Sequence, residues 1–362
     1  MGFAARPFHI VFSLFVLAGA TQALIICPFD SIYQFGDSIS DTGNYIRILP
    51  NGPAAAAANF PYGITFPGIP TGRFSDGRLI VDFIARVLGL PLLNPYLQQN
   101  ASFKNGVNFA VGGATALNSS VLAAAGVQIP DIYLIPLSTQ LNWFQTYLRS
   151  NCSSPTECSK KVQNSLFLIG NIGNNDVNYA LPYRTIQEIE AYVPSIAKAV
   201  ANATREIIRL GGRRIIVPGT FPFGCLPRNL YLFPNGDKDD LGCLRRLNDL
   251  SIYFNNLFQQ ALNSLRIEFP QAVIIYADYY NAFRFLLRNA RALGFTSTLQ
   301  SCCGIGGPYN FDLNRLCGFP GVPVCRNPRE YIQWDGFHYT EAAHRHIVQY
   351  LIPDILKELK CS

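Results

Sequence analysis

Histidine is scarce in this chain, four among 362 residues, and it lacks linker-like stretches and clustered basic residues. Each shortage narrows what the protein can be. Past the N-terminus no charge-free run approaches the ~20 apolar residues that a helix needs to cross a bilayer, so no membrane anchor is expected after leader cleavage. The net charge of +6 rests on scattered Arg and Lys, with doublets only at Lys160-Lys161, Arg213-Arg214 and Arg245-Arg246. Nucleic-acid-binding surfaces gather such residues with aromatics on one face, so no nucleic-acid partner is expected. Without a Pro/Gly/Ser linker or a composition shift, residues 24–362 are expected to form a single domain. H-E-x-x-H, the Walker P-loop and G-x-G-x-x-G are all missing, which leaves metalloprotease and nucleotide-binding readings without a motif. So is the G-x-S-x-G nucleophile elbow.

What is present points to export. Arg6, the apolar run Phe8–Leu17 and the small residues up to Ala23 have the layout of a secretory signal peptide over residues 1–23. The ten cysteines all lie beyond it, and an even number in an exported chain favours disulfides over metal thiolates. Cys152 with Cys158 and Cys225 with Cys243 suit two small loops. Cys302, Cys303, Cys317 and Cys325 suit the stapling of one loop-rich insertion, with zinc binding as the rival use of those four. Sequons at Asn100, Asn118, Asn151 and Asn202 agree with glycosylation in the secretory pathway, with the apoplast or the vacuole as destination.

Short β-rich runs alternate with longer amphipathic stretches, the pattern of a parallel sheet with helices on both faces. The strand candidates are 32–35, 107–111, 166–169, 215–218 and 273–277. The helix candidates are 79–88, 139–149, 186–210, 248–269, 280–293 and 340–359. Thr185 with Glu188 forms a capping-box signature, and Gly211-Gly212 a stop. The Ala54–Ala58 tract between Pro53 and Pro61 reads as a loop.

In an open parallel sheet, ligands sit beyond the carboxyl ends of the strands. Three such segments are chemically suggestive: Gly36-Asp37-Ser38 through Asn44, Gly112-Gly113, and Gly173-Asn174-Asn175-Asp176. A serine hydroxyl needs a positioned base to become a nucleophile at neutral pH. His9 leaves with the signal, so an imidazole base is His338, His344 or His346. His338 stands in Trp334-Asp335-Gly336-Phe337-His338, where Asp335 is near enough to orient the ring and stabilise an imidazolium, or to serve as an ordinary turn residue. His344 and His346, two apart on a helix, point to different faces, cannot share a metal, and read as solvated or partly packed surface residues. The oxyanion of acyl transfer needs aligned donors, for which the Ser38 and Gly113 amides and the Asn175 side chain are candidates. This chemistry calls for no cofactor and no metal.

These residues resemble the plant GDSL esterase/lipase family, or SGNH hydrolases, over nearly the whole mature chain. Phe35-Gly36-Asp37-Ser38 with Ser40–Asn44, Gly72–Arg78, Asn108–Ala114, Gly173-x-Asn175-Asp176 and Asp335-Gly336-Phe337-His338 match its blocks in order. The resemblance implies a three-layer α/β/α sandwich of flavodoxin-like type around a five-stranded parallel sheet. It also implies Ser38 as nucleophile, His338 as base, Asp335 as orienter, and Ser38, Gly113 and Asn175 as oxyanion donors. Within the family, stretches such as 103–117, 171–180 and 271–281 are similar to a member that removes an acetyl group from an indole alkaloid. That implies a small acetyl ester on a bulky, cationic alkaloid as substrate, for which an apolar, aromatic pocket with room for an acidic group is expected; the protein is expected to be a monomer. Two alternatives stay open: a lipase or acetyl esterase for lipid or cell-wall esters, and a secreted binding glycoprotein whose serine is inert.

Overall fold

The computed structural model describes residues 27–48, 56–127, 129 and 135–361. The signal-peptide expectation lies outside them. Among the described residues there are seven strands: β1 Ser31–Phe35, β2 Gly106–Asn108, β3 Ser165–Ile169, β4 Arg214–Pro218, β5 Val273–Ala277, β6 Ser297–Ser301 and β7 Tyr331–Gln333. The first five form one parallel sheet in the order β2-β1-β3-β4-β5, and β6 pairs with β7 apart from it. The α-helices among the described residues are α1 Tyr45–Ile48, α2 Ile80–Val87, α3 Ser119–Ala124, α4 Leu137–Asn151, α5 Pro155–Gln163, α6 Asn174–Ala180, α7 Ile186–Arg209, α8 Pro227–Leu232, α9 Arg245–Glu268, α10 Tyr279–Arg288 and α11 Glu341–Leu359.

Alternation along each strand divides the core in two, because successive side chains leave a strand on opposite faces. Tyr33, Phe35, Phe167, Ile169, Ile215 and Val217 pack with α4, α7 and α9. Ile32, Leu166, Leu168, Ile216 and Ile275 pack with α2, α10 and α11. The result is the three-layer α/β/α sandwich. Among the described residues no helix is long and apolar enough to cross a membrane.

The expected strands and long helices are present with shifts at their ends. The capping box is in place, with Thr185 Oγ1 accepting from the Glu188 amide and Glu188 accepting from the Thr185 amide. The second strand is shorter than expected: it ends at Asn108, after which the chain continues extended, with Phe109 and Val111 donating to Gln34 O and Gly36 O. Ala56–Ala58 forms a turn of 3₁₀ helix where a loop was expected, and Ala54 and Ala55 lie outside the described residues.

All ten cysteines are paired, as Cys27–Cys361, Cys152–Cys158, Cys225–Cys243, Cys302–Cys325 and Cys303–Cys317. Both small loops and the stapled insertion are as expected, and the zinc alternative falls. Five disulfides are the mark of a protein made in an oxidising compartment.

Candidate active site

In this sheet order the crossover direction reverses at β1, which has β2 on one side and β3 on the other. The crevice beyond their carboxyl ends is where a doubly wound fold places its ligand. Phe35 of β1 is level with Ile169 of β3, so the segments that follow them emerge side by side. Gly36 makes that possible: its φ is +154°, and a Cβ there would lie 2.9 Å from Asn171 O. Gln140 of α4 clamps the same glycine, accepting from its amide at 2.9 Å and donating to its carbonyl at 2.8 Å.

The turn then closes on Asp37. Its side chain accepts from the Ile39 amide at 3.0 Å and its carbonyl from the Ser40 and Asp41 amides, which leaves Ser38 at the crest. Asp41 ties this turn to the glycine segment, accepting from Gly43, Asn44, Tyr45 and Gly112. Burial pushes Asp37 up to about 7 and Asp41 up to about 6, against hydrogen bonds that pull the other way.

Ser38 Oγ lies 2.8 Å from His338 Nε2, and His338 Nδ1 lies 2.7 Å from Asp335 Oδ2. Asp335 is also the turn residue that the sequence allowed: its Oδ1 accepts from the Phe337 and His338 amides, both at 2.9 Å. The buried Tyr62 hydroxyl donates to Oδ2 at 2.7 Å. Burial raises the Asp335 pKa, but adjacent His338 and these hydrogen bonds outweigh it and hold the carboxylate below its usual range. The Phe74 ring lies 4.9 Å from the imidazole at a 33° tilt, closing one side of it.

The sequence singled out neither Tyr62 nor Phe74 by role, because each acts through a contact distant in the chain. Phe74 lies within the Gly72–Arg78 block, whose other residues brace the fold. Arg73 makes a two-pronged ion pair with Asp82 at the start of α2. Asp76 accepts from the Glu341 amide at the start of α11.

The amides of Ser38 and Gly113 have no hydrogen-bond partner among the described residues. Asn175 is in the first turn of α6, and its Nδ2 donates to Ala114 O at 2.9 Å, leaving a second N–H. Tyr179 fixes the glycine turn by donating to Gly113 O at 3.1 Å. Asp176, pushed by burial to about 7, receives the Ala116 and Leu117 amides and joins α6 to that turn.

The other two histidines are apart from this group. His344 is fully buried, contrary to the surface expectation, with Nδ1 3.1 Å from Arg78 O, and burial lowers its pKa to about 4. His346 is partly buried against Phe295. All four sequon asparagines are exposed.

Ser38 and His338 open into a cavity of about 570 Å³ walled by Tyr45, Tyr62, Phe74, Tyr179, Phe221 and Phe337, among others. The aromatic character is as expected. Among the described residues the lining carboxylates, Asp37 and Asp335, are bound to the framework, and the other lining side chain of fixed charge is Arg228.

Residues 32–351 match the model of the GDSL-like lipase/acylhydrolase family. Acetylajmalan esterase 1 of Rauvolfia serpentina is 71% identical over 364 residues, covering 100% of this chain and 95% of that protein. Acetylajmalan esterase of the same plant is 70% identical, over 100% of this chain and 94% of that one. Sinapine esterase of Brassica napus is 45% identical, over 88% of this chain and 83% of its own length. With the sheet order and the match running from β1 into α11, the chain belongs to the GDSL-like lipase/acylhydrolase family and is a carboxylic ester hydrolase.

Proposed function

We propose that the protein removes the acetyl group from an O-acetylated indole alkaloid through an acyl-enzyme on Ser38. The observation that carries the mechanism is the chain of short contacts from Ser38 Oγ through His338 to Asp335, 2.8 and 2.7 Å long. In this reading Ser38 Oγ attacks the acetyl carbonyl while His338 Nε2 takes its proton. Asp335 holds the ring by Nδ1 and stabilises the imidazolium. The oxyanion accepts from the free Ser38 and Gly113 amides and the second N–H of Asn175. His338 then returns the proton to the leaving alcohol oxygen. Water attacks the acetyl-enzyme, with His338 again as base; the bond from the acyl carbon to Ser38 Oγ then breaks, His338 returns the proton to Oγ, and acetate departs.

The names of the two Rauvolfia relatives support the alkaloid, and the aromatic walls suit a bulky ring system and can hold an ammonium by their faces. The reading takes residues 24–362 as one secreted domain, active as a monomer, with glycans on the exposed sequons and the apoplast or vacuole as destination. The test is acetate release from an O-acetylated ajmaline-type alkaloid by the purified protein and by Ser38→Ala. Wild-type turnover and a loss of about 10³-fold or more in the variant are expected. Normal turnover by the variant would refute the nucleophile. A strong preference for long-chain esters would move the substrate to lipids.

A further inference from the structure

One charged group in the cavity has no part in the mechanism above. Arg228, on α8, lines the cavity beside Asn178, Tyr179 and Phe337, yet only 6% of it is exposed. Nη2 donates to Asn178 O and Nη1 to Asn229 Oδ1, both at 2.9 Å, and the guanidinium carbon lies 5.6 Å from the Phe337 ring centroid. Both hydrogen-bond partners are neutral oxygens. No ion pair among the described residues includes Arg228. The carboxylates that line the same cavity are engaged by Ile39 and by the His338–Tyr62 pair.

A guanidinium carries five N–H donors in a planar fork and stays charged under nearly all conditions. Desolvation lowers the Arg228 pKa, but only to about 10, so it is a cation at neutral pH. A buried cation without a counter-charge is unfavourable unless something supplies the missing acceptor. Here the open side is the substrate cavity.

We propose that Arg228 is a specificity-determining residue: it receives an oxygen acceptor on the alcohol portion of the substrate, a carboxylate most strongly, and turns cationic nitrogen away from its end of the cavity. This rests on the placement of catalysis at Ser38 and not on the alkaloid. For an alkaloid ester it sets orientation, since oxygen substituents lie towards Arg228 and the ammonium against aromatic rings elsewhere.

The test is kcat/KM for three aryl acetates that differ in one meta substituent: carboxylate, methyl or trimethylammonium. The wild type is expected to prefer carboxylate over methyl and methyl over trimethylammonium. Arg228→Met should lower the carboxylate-to-methyl ratio by about tenfold or more and raise the trimethylammonium-to-methyl ratio. Arg228→Lys should restore most of the carboxylate preference. Equal losses on all three esters would reduce Arg228 to a brace between α8 and α6 and overturn the proposal, as would unchanged ratios. Where Arg228→Met does not fold, the wild-type series decides, because a wild type without carboxylate preference refutes it. Wild-type turnover of the methyl ester by Ser38→Ala would instead break the site reading beneath it.

Discussion

The two oxygens of Asp335 have separate tasks. Oδ1 builds the turn that carries His338, and Oδ2 meets the imidazole and the Tyr62 hydroxyl. In Asp335→Asn an amide must replace one of these acceptors, so the turn can persist while the imidazole loses its orientation and counter-charge. A fall in kcat of about 10³–10⁴-fold is expected, with KM little changed. Tyr62→Phe removes one hydrogen bond worth ~1 kcal/mol, so kcat should fall about threefold to tenfold at constant KM. Steady-state kinetics on a simple aryl acetate checks both, and a KM effect in Tyr62→Phe would make Tyr62 a substrate contact instead.

At the scale of elements, His338 depends on the insertion that precedes it. Cys302 and Cys303 donate backbone hydrogen bonds to Gln333 O and Trp334 O, and their disulfide partners are Cys325 and Cys317. Tyr62 and Trp334 pack into the same cluster as Cys302, Cys303 and Cys317. These two disulfides therefore brace the segment Gln333–Trp334 that leads into the Asp335–His338 turn, in the same cluster as Tyr62. Replacing Cys303 and Cys317 by serine should lower activity well before it unfolds the sheet. The expected result is loss of aryl-acetate turnover at a temperature where the far-ultraviolet circular dichroism is still native.

At the scale of the molecule, Cys27–Cys361 joins a residue ahead of β1 to one just after α11 across a separation of 334 residues, at the opposite end of β1 from Ser38. Closing so long a loop stabilises mainly by restricting the unfolded chain, by up to ~5 kcal/mol. Cys27→Ser with Cys361→Ser should lower Tm clearly while leaving kcat at 25 °C near wild type, the reverse of the insertion pair. The pH dependence of stability follows from groups buried under the site. Asp37 and Asp176 are raised to about 7 and Asp41 to about 6, against about 4 unfolded. Between those values the folded chain holds protons that the unfolded chain has lost, so these groups favour folding at low pH and lose that effect as pH rises towards 7. His344, lowered to about 4, acts oppositely between about 4 and 6.5, but it is one group against three. Melting temperature should therefore fall from pH 5 to pH 8, and Asp37→Asn or Asp176→Asn should flatten the slope. A Tm that rises over this range would contradict the account.

Local signals determined a good deal of this protein. Short apolar, β-rich runs and long amphipathic stretches marked the sheet and its main helices, because burial on both faces leaves near-continuous apolar runs in a parallel sheet. The scarcity of histidine and the Asp335-Gly336-Phe337-His338 spacing picked out the residues now seen at 2.8 and 2.7 Å. Neighbours in sequence were enough there, since three residues of turn place a carboxylate against an imidazole. Tyr62, the burial of His344, the Cys27–Cys361 bridge and the unpaired Arg228 were decided only by the tertiary structure. Each depends on groups brought together from opposite parts of the chain, for which composition and periodicity carry no trace.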